Sequence, residues 1–208
     1  MLEKFEPLFL DFIKREMQQD LAHDLNHVLR VVKVAKSLCH EEGAKLEVVV
    51  PAAYLHDCFS FPKNHPERAT SSLLAAQKAQ EFLEGLAYPS EYFPEISHAI
   101  VAHSFSAKVK PKSLEAKIVQ DADRLDAIGA IGVARCLQVG TALGVGLYNA
   151  FDPFAQEREW DDRQYCVDHF YIKLLKLADT MNTASAKAEA DKRTVFMKNF
   201  LTQLGTEI

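Results

Sequence analysis

Histidine and aspartate recur in this chain where packing residues are expected. His56 and Asp57 follow Ala-Ala-Tyr-Leu directly, at the end of an apolar run that begins at Leu46. His23 and His27 stand four apart, on one face of a helix. His98 and His103 flank an apolar stretch in ISHAIVAHSFS, and Asp121, Asp123 and Asp126 interrupt KIVQDADRLDAIGAIG. A buried carboxylate or imidazole is costly unless something pairs with it. One divalent cation would meet that need, because two imidazole nitrogens and two carboxylate oxygens from three helices offset one another's burial through it. Such a mixed set suits Mn, Fe, Co, Ni or Zn, and Mg less well. It leaves positions open, whereas a structural zinc site would be closed and carry cysteines. An open cation polarises phosphoryl oxygens and acidifies a bound water.

The elements that must position these groups read as helices almost throughout. Residues 21–39 place Leu25, Val28, Leu29, Val32 and Ala35 on one stripe. Residues 46–57 read as a buried helix in which Pro51 needs a kink or a place near the start. Two prolines make residues 61–66 a loop, and Pro66 with Glu67 opens a helix that runs to Leu86. A further helix covers residues 94–103, and one long helix runs from Ser113 through Asp123 and Ala130 toward Leu143. Residues 144–162 form a loop of the length at which loops tend to be functional. Helices over 163–177 and 183–204 close the chain. With no repeat and no alternating run long enough for a strand, the fold class is all-α.

Composition narrows the functions. With 208 residues, 48% hydrophobic and 25% charged, the chain suits a single domain with a real core. A net charge of -5 argues against general nucleic-acid binding, yet permits an anionic small substrate because a metal ion reverses the local field. Cys39, Cys58, Cys136 and Cys166 are scattered, so they read as reduced thiols and the expected location is cytoplasmic. Charges interrupt the apolar residues of MLEKFEPLFLDFIKREM, so no signal-peptide core is expected. No apolar run approaches the roughly 20 residues that span a bilayer, so no membrane partner is expected.

A His, a His-Asp pair about thirty residues on, and an Asp in A-D-R-L resemble the HD-domain metal-dependent phosphohydrolases. The longer phrases HDLNHVLRV, YLHDCFSFPKNHPERATSS, AHSFS and EAKIVQDADRLDAIGAIGVAR resemble a narrower branch of it. That branch comprises small single-domain bacterial-type HD hydrolases, some of them nucleotide pyrophosphohydrolases. The resemblance implies an HD-type helical bundle over 1–208, with a metal-site core at about 20–130 and a helical extension over 131–208. It implies His27, His56, Asp57 and Asp123 as ligands of one divalent ion, Mn first, with Asp121 the nearest competitor for the last place. Some HD enzymes use extra histidines such as His98 and His103 to hold a second metal, while others keep them for phosphate contact; the single-metal reading is taken here.

Lys63, Asn64, His65 and Arg68 follow the doublet on a loop and a helix start, a cradle for a polyphosphate. Lys63 and His65 are candidates for charge stabilisation, His65 also for protonating a leaving group, with His103 and His98 as further contacts. Asp57 or Asp123 can orient the attacking water. The expected function is a (deoxy)nucleoside triphosphate pyrophosphohydrolase. The alternatives are a 5′-nucleotidase or phosphodiesterase with the same site, a non-catalytic nucleotide-binding signalling module, or a purely structural metal site. Exposed apolar faces on the C-terminal helices would point to a homodimer.

Plainer roles stand beside these. His23 can face substrate or solvent, and His40 and His169 read as surface residues. Asp126 can orient a ligand or be a surface acid, and Arg30 and Arg124 can reach substrate or pair with neighbouring acids. Gly129, Gly132 and Gly140 read as sites of close helix packing. The 151–154 loop can be a lid or a surface connection, and Trp160 can stack on a base.

Overall fold

The computed structural model describes residues 2–17, 24–62 and 65–208. Among them the regular structure is helical, with one isolated bridge between Gly146 and Tyr165, in agreement with the all-α expectation. The chain divides into two units, Met1–Asp123 and Arg124–Ile208.

The first unit is built around the helix that leads to the His-Asp doublet. Its helices are α1 (Glu6–Glu16), α2 (Leu25–Glu42), α3 (Leu46–Leu55), α4 (Ser71–Gly85), α5 (Phe93–His103) and most of α6 (Leu114–Leu125). In α3 every residue from Val48 to Leu55 is buried. A helix apolar on all sides has to lie inside, and α3 is packed by α1, α2, α4 and α5. Pro51 stands within it and gives Glu47 no backbone N–H to accept. The Tyr88 hydroxyl donates to the Glu47 carbonyl instead, at 2.7 Å, so the helix continues through the proline. α3 ends at Leu55, two residues short of the expected end, and His56 and Asp57 occupy the turn that follows.

α2 buries Val28, Val31, Val32, Ala35 and Leu38. Leu29, expected on this stripe, is 39% exposed. It falls about 100° round the helix from Val28, beyond the edge of the packed face that Val31 fills instead. Phe5, just before α1, meets Tyr88 edge-on at 4.8 Å, and Phe12 within α1 stacks on Phe82 at 3.9 Å. Such pairs add about 0.5–1.5 kcal/mol each to area burial. α4 packs on α5 and buries Ala75, Ala76 and Ala79, small residues that allow close approach. A 3-10 turn, Arg68–Thr70, precedes α4, so the regular helix starts four residues later than Glu67.

The long helix expected over 113–143 is two helices. α6 stops at Leu125 and α7 (Gly129–Ala142) begins the second unit's run, followed by α8 (Cys166–Ile172), the 3-10 helix Leu174–Thr180 and α9 (Ala184–Gly205). The apolar pattern continues across the break and so concealed it. Three contacts in the second unit fix the end of α6. The Leu125 carbonyl accepts from Arg193 Nη1 at 2.6 Å, and Arg135 Nη1 donates to the Asp126 carbonyl at 3.0 Å and its carboxylate at 2.7 Å. Gly129 then turns the chain at φ 75°, where a side chain would be strained. Asp126 is thus a buried ion-pair partner, not a surface acid.

The 144–162 segment is held by its own polar groups and by Asp168 of α8. Asp152 accepts from the N–H groups of Gln156 and Glu157, and Arg158 makes two bonds to the fully buried Asp168. Trp160, a candidate for stacking on a base, stacks on Tyr171 at 4.2 Å. His169, expected to be a plain surface residue, is paired through Nδ1 with Asp162 at 2.9 Å. A Cβ on Gly132 would come within 2.3 Å of the Ala127 carbonyl oxygen, so this position admits only glycine.

Candidate metal centre

Three imidazoles converge on one carboxylate. Asp57 Oδ2 lies 3.5 Å from His56 Nε2 and 3.8 Å from His27 Nε2, and Oδ1 lies 3.7 Å from His103 Nε2. Asp123 Oδ1 is 3.4 Å from the same His27 Nε2. The ligating atoms of His27, His56 and Asp57 all lie within 4.8 Å of one another. These separations exceed hydrogen-bond lengths. Donors that each approach one ion to about 2.0–2.2 Å stand apart by this order of distance.

The local chain explains how each group arrives. The Asp24 side chain caps α2 by accepting from the His27 N–H at 2.8 Å, so His27 sits in the first turn, facing inward and buried. His56 donates from Nδ1 to the Ala53 carbonyl at 2.8 Å, and His103 engages the Ile100 carbonyl in the same way. In both, the carbonyl is three residues back, and the tether leaves Nε2 as the nitrogen turned to Asp57. Gln120 of α6 donates to the Ala102 carbonyl at 2.7 Å, fastening α6 beside the end of α5. Asp123 therefore comes to the cluster from α6, while Asp121, two residues away on that helix, is fully buried.

A cation fits this arrangement on the evidence of His56. Its Nε2 is buried, has its lone pair free once Nδ1 donates, and has no hydrogen-bond partner among the described residues. Burial pushes the His56 imidazole below its usual value and outweighs the pull of Asp57, so it is neutral and able to ligate. Burial also opposes protonation of His103, but the Asp57 carboxylate and the field of Asp123 outweigh it and raise its value. Of these two, His103 is the one better placed to carry a proton.

The remaining sequence candidates are dispersed. Lys63, Asn64 and His23 lie outside the described residues. His65 stacks flat on Phe61 at 4.1 Å, and its Nδ1 accepts from the Glu67 N–H at 3.2 Å, which leaves Nε2–H as a donor. Arg68 Nη1 is committed to the Phe61 carbonyl, with Ser60 Oγ at 3.4 Å, and so braces the loop that carries His65. His98 does not join the cluster. It lies about 140° round α5 from His103, lines a groove with Gln77 and Gln80 of α4, and accepts from the Lys112 N–H through Nε2 at 2.9 Å. Sequence reasoning overlooked Asp24, although an Asp before an apolar-periodic stretch is a helix-start signal, and it overlooked the Phe61 platform.

Residues 24–128 match the HD domain family. The Bacillus subtilis protein YpgQ is 36% identical over 190 residues, covering 89% of this chain and 84% of that protein. A crystal structure of an HD-superfamily hydrolase from Bacillus thuringiensis superposes with a TM-score of 0.77 at 36% identity, covering 100% of this chain and 98% of that one. The structure of B. subtilis YpgQ in complex with ADP superposes with a TM-score of 0.76 at 32% identity, covering 99% and 96%.

Proposed function

The chain belongs to the HD domain family, and on that footing we propose that it is a metal-dependent phosphohydrolase acting on (deoxy)nucleoside triphosphates. The observation that carries the reading is the convergence of His27, His56 and His103 on Asp57, with a buried, unpartnered His56 Nε2 at its centre. His27, His56, Asp57 and Asp123 hold one divalent cation, Mn as first choice. When bound, that cation supplies Lewis-acid polarisation of phosphoryl oxygens and acidifies a water. A single ion is supported by the engagement of His98 Nε2 with the Lys112 N–H, which removes that nitrogen from ligation.

The chain's own groups do the rest. His103, whose proton is favoured by Asp57, donates from Nε2 toward a phosphoryl oxygen. His65, held by Phe61 and the Glu67 N–H, presents Nε2–H to the phosphates or to the leaving group. Lys63 and Asn64 are assigned to the phosphate cradle from their place in the sequence, and Arg68 shapes it by bracing the Phe61 carbonyl. Asp57 or Asp123 orients the attacking water. Water adds to the α-phosphorus as the bond to the bridging oxygen breaks, giving nucleoside monophosphate and pyrophosphate. Support for a nucleotide comes from the relative that binds ADP.

The test is product analysis. Metal-stripped protein, with Mn or Mg restored, is incubated with nucleoside mono-, di- and triphosphates and with a phosphodiester. The control is the His56→Ala, Asp57→Ala double variant. Monophosphate plus pyrophosphate, absent in the control, is expected. Inorganic phosphate from monophosphates would make the protein a nucleotidase, and cleavage of the diester a phosphodiesterase. Nucleotide binding without metal-dependent turnover would leave a binding module.

A further inference from the structure

Immediately after His103 the chain makes a connection to α6 whose composition differs from the rest of the molecule. The whole chain carries a net charge of -5, yet residues 104–112, SFSAKVKPK, contain three lysines and no acid. Lys108, Lys110 and Lys112 are exposed and make no ion pair among the described residues. Phe105, two residues beyond His103, is 87% exposed. Two residues of extended chain reach at most about 7 Å, so Phe105 stays close to the cluster.

The connection is anchored, not trailing. At its far end the Lys112 N–H donates to His98 Nε2 at 2.9 Å, and Pro111 is buried. At its near end Ser104 and Ser106 share a hydroxyl hydrogen bond of 3.0 Å. The far end is therefore returned to α5, the helix that ends in His103, and the near end is closed by a bond within the loop itself. Lys108 turns the chain at φ +54, a left-handed conformation that glycine adopts freely and lysine does not. A long cationic side chain is kept there against the backbone's preference, which points to a use for the side chain.

We propose that residues 104–112 form the recognition loop of the metal centre for a nucleoside polyphosphate. Phe105 is the stacking platform for the base, Lys108 and Lys110 meet the phosphates, and His98 is a positioning residue that holds the loop through the Lys112 N–H. An exposed aromatic ring beside unpaired cations suits a ligand that carries both a flat ring and several negative charges. The assignment rests on the nucleotide hydrolase reading, and it deepens that reading by naming what selects the substrate.

The test uses the full chain, with ADP as one calorimetric probe and inorganic tripolyphosphate as a second that lacks the ring. Phe105→Ala should weaken ADP on the order of 5- to 100-fold, the worth of stacking one base, and lower the preference for ADP over tripolyphosphate. Lys108→Gly with Lys110→Glu should weaken both probes and flatten the fall of affinity with salt. Lys108→Gly alone should keep or raise the melting temperature while weakening ADP, a split that a structural role does not give. His98→Ala should weaken ADP without altering the salt slope per lysine.

Unchanged ADP affinity in Phe105→Ala and in the lysine variants would overturn the proposal. So would a dimer that dissociates on Phe105→Ala with ADP affinity intact, because the ring would then be a contact between copies. If the wild type binds ADP but hydrolyses no nucleotide, the hydrolase reading fails, and the same variants still decide the recognition loop.

Discussion

The rings of His56 and His103 meet edge to face, centroids 4.8 Å apart and planes at 80°, each tied through Nδ1 to a carbonyl three residues back. Asp57 therefore faces two imidazoles whose orientation is set before any ligand arrives. Preorganisation of this kind lowers the cost of assembling a metal site, because the ligands need no reordering.

The first prediction concerns the metal. Mn at a hundredfold excess over its Kd should stabilise the wild type by about 2.7 kcal/mol. For a chain of this size that raises Tm by roughly 2–4 °C per kcal/mol. His56→Ala should abolish the rise. Chelation should remove the rise and leave the far-ultraviolet circular dichroism unchanged; loss of helicity would identify a structural ion instead.

Asp24→Ala removes the cap that begins α2 at His27. The expected loss is about 1 kcal/mol in a denaturant titration. It should be accompanied by weaker metal binding, because His27 lies in the turn that the cap holds. A stability loss with unchanged metal affinity would separate the cap from the site.

Tyr88→Phe leaves the Glu47 carbonyl without its donor in the buried helix α3. The expected cost is about 1–3 kcal/mol. Pro51→Ala supplies a backbone N–H to the same carbonyl, so Tyr88→Phe should cost less in that background. A double-mutant cycle of denaturation midpoints measures the coupling, and strict additivity would refute the compensation.

The thiols give a pH prediction. Burial pushes Cys39 up to about 11, and Cys58 and Cys136 up to about 12, from an ordinary value of 9.0. Tyr54 is raised likewise, to about 12, by burial and the neighbouring Glu6 carboxylate. The folded state holds these protons more tightly than the unfolded chain does. Stability is therefore complete below about pH 9 for the thiols and falls as pH climbs through the folded values. Urea midpoints between pH 8 and 11 should decline, and native protein at pH 8 should react slowly with a thiol reagent at Cys39 and Cys58, both buried. A midpoint that is flat to pH 11 would show that these thiols do not govern alkaline stability.

How much of this was legible beforehand depends on how local the cause is. The all-α class followed from periodicity, and the family followed from His27, His56-Asp57 and Asp123 standing in order. Asp123 and Asp121 could not be separated by spacing. In the structure α6 brings Asp123 to 3.4 Å from His27 and buries Asp121 completely, a difference in placement that residue spacing does not carry. The end of α6 was invisible because its cause lies elsewhere in the chain: Arg193 is far from Leu125 in sequence and adjacent in space. The engagement of His98 by the Lys112 N–H is hidden for the same reason, since a backbone donor leaves no mark on residue identity. Leu29 shows the limit of the stripe itself, because hydrophobicity marks a helical face only to within one residue of its edge.

The tethers of His56 and His103 have a further consequence. Both anchors, at Ala53 and Ile100, are main-chain oxygens. The side chains at those positions can change over evolutionary time, within the volume the core allows, and each imidazole still inherits its tautomer and aim from the helix that carries it. The aim of these two rings is thus insulated from drift at the residues that secure it.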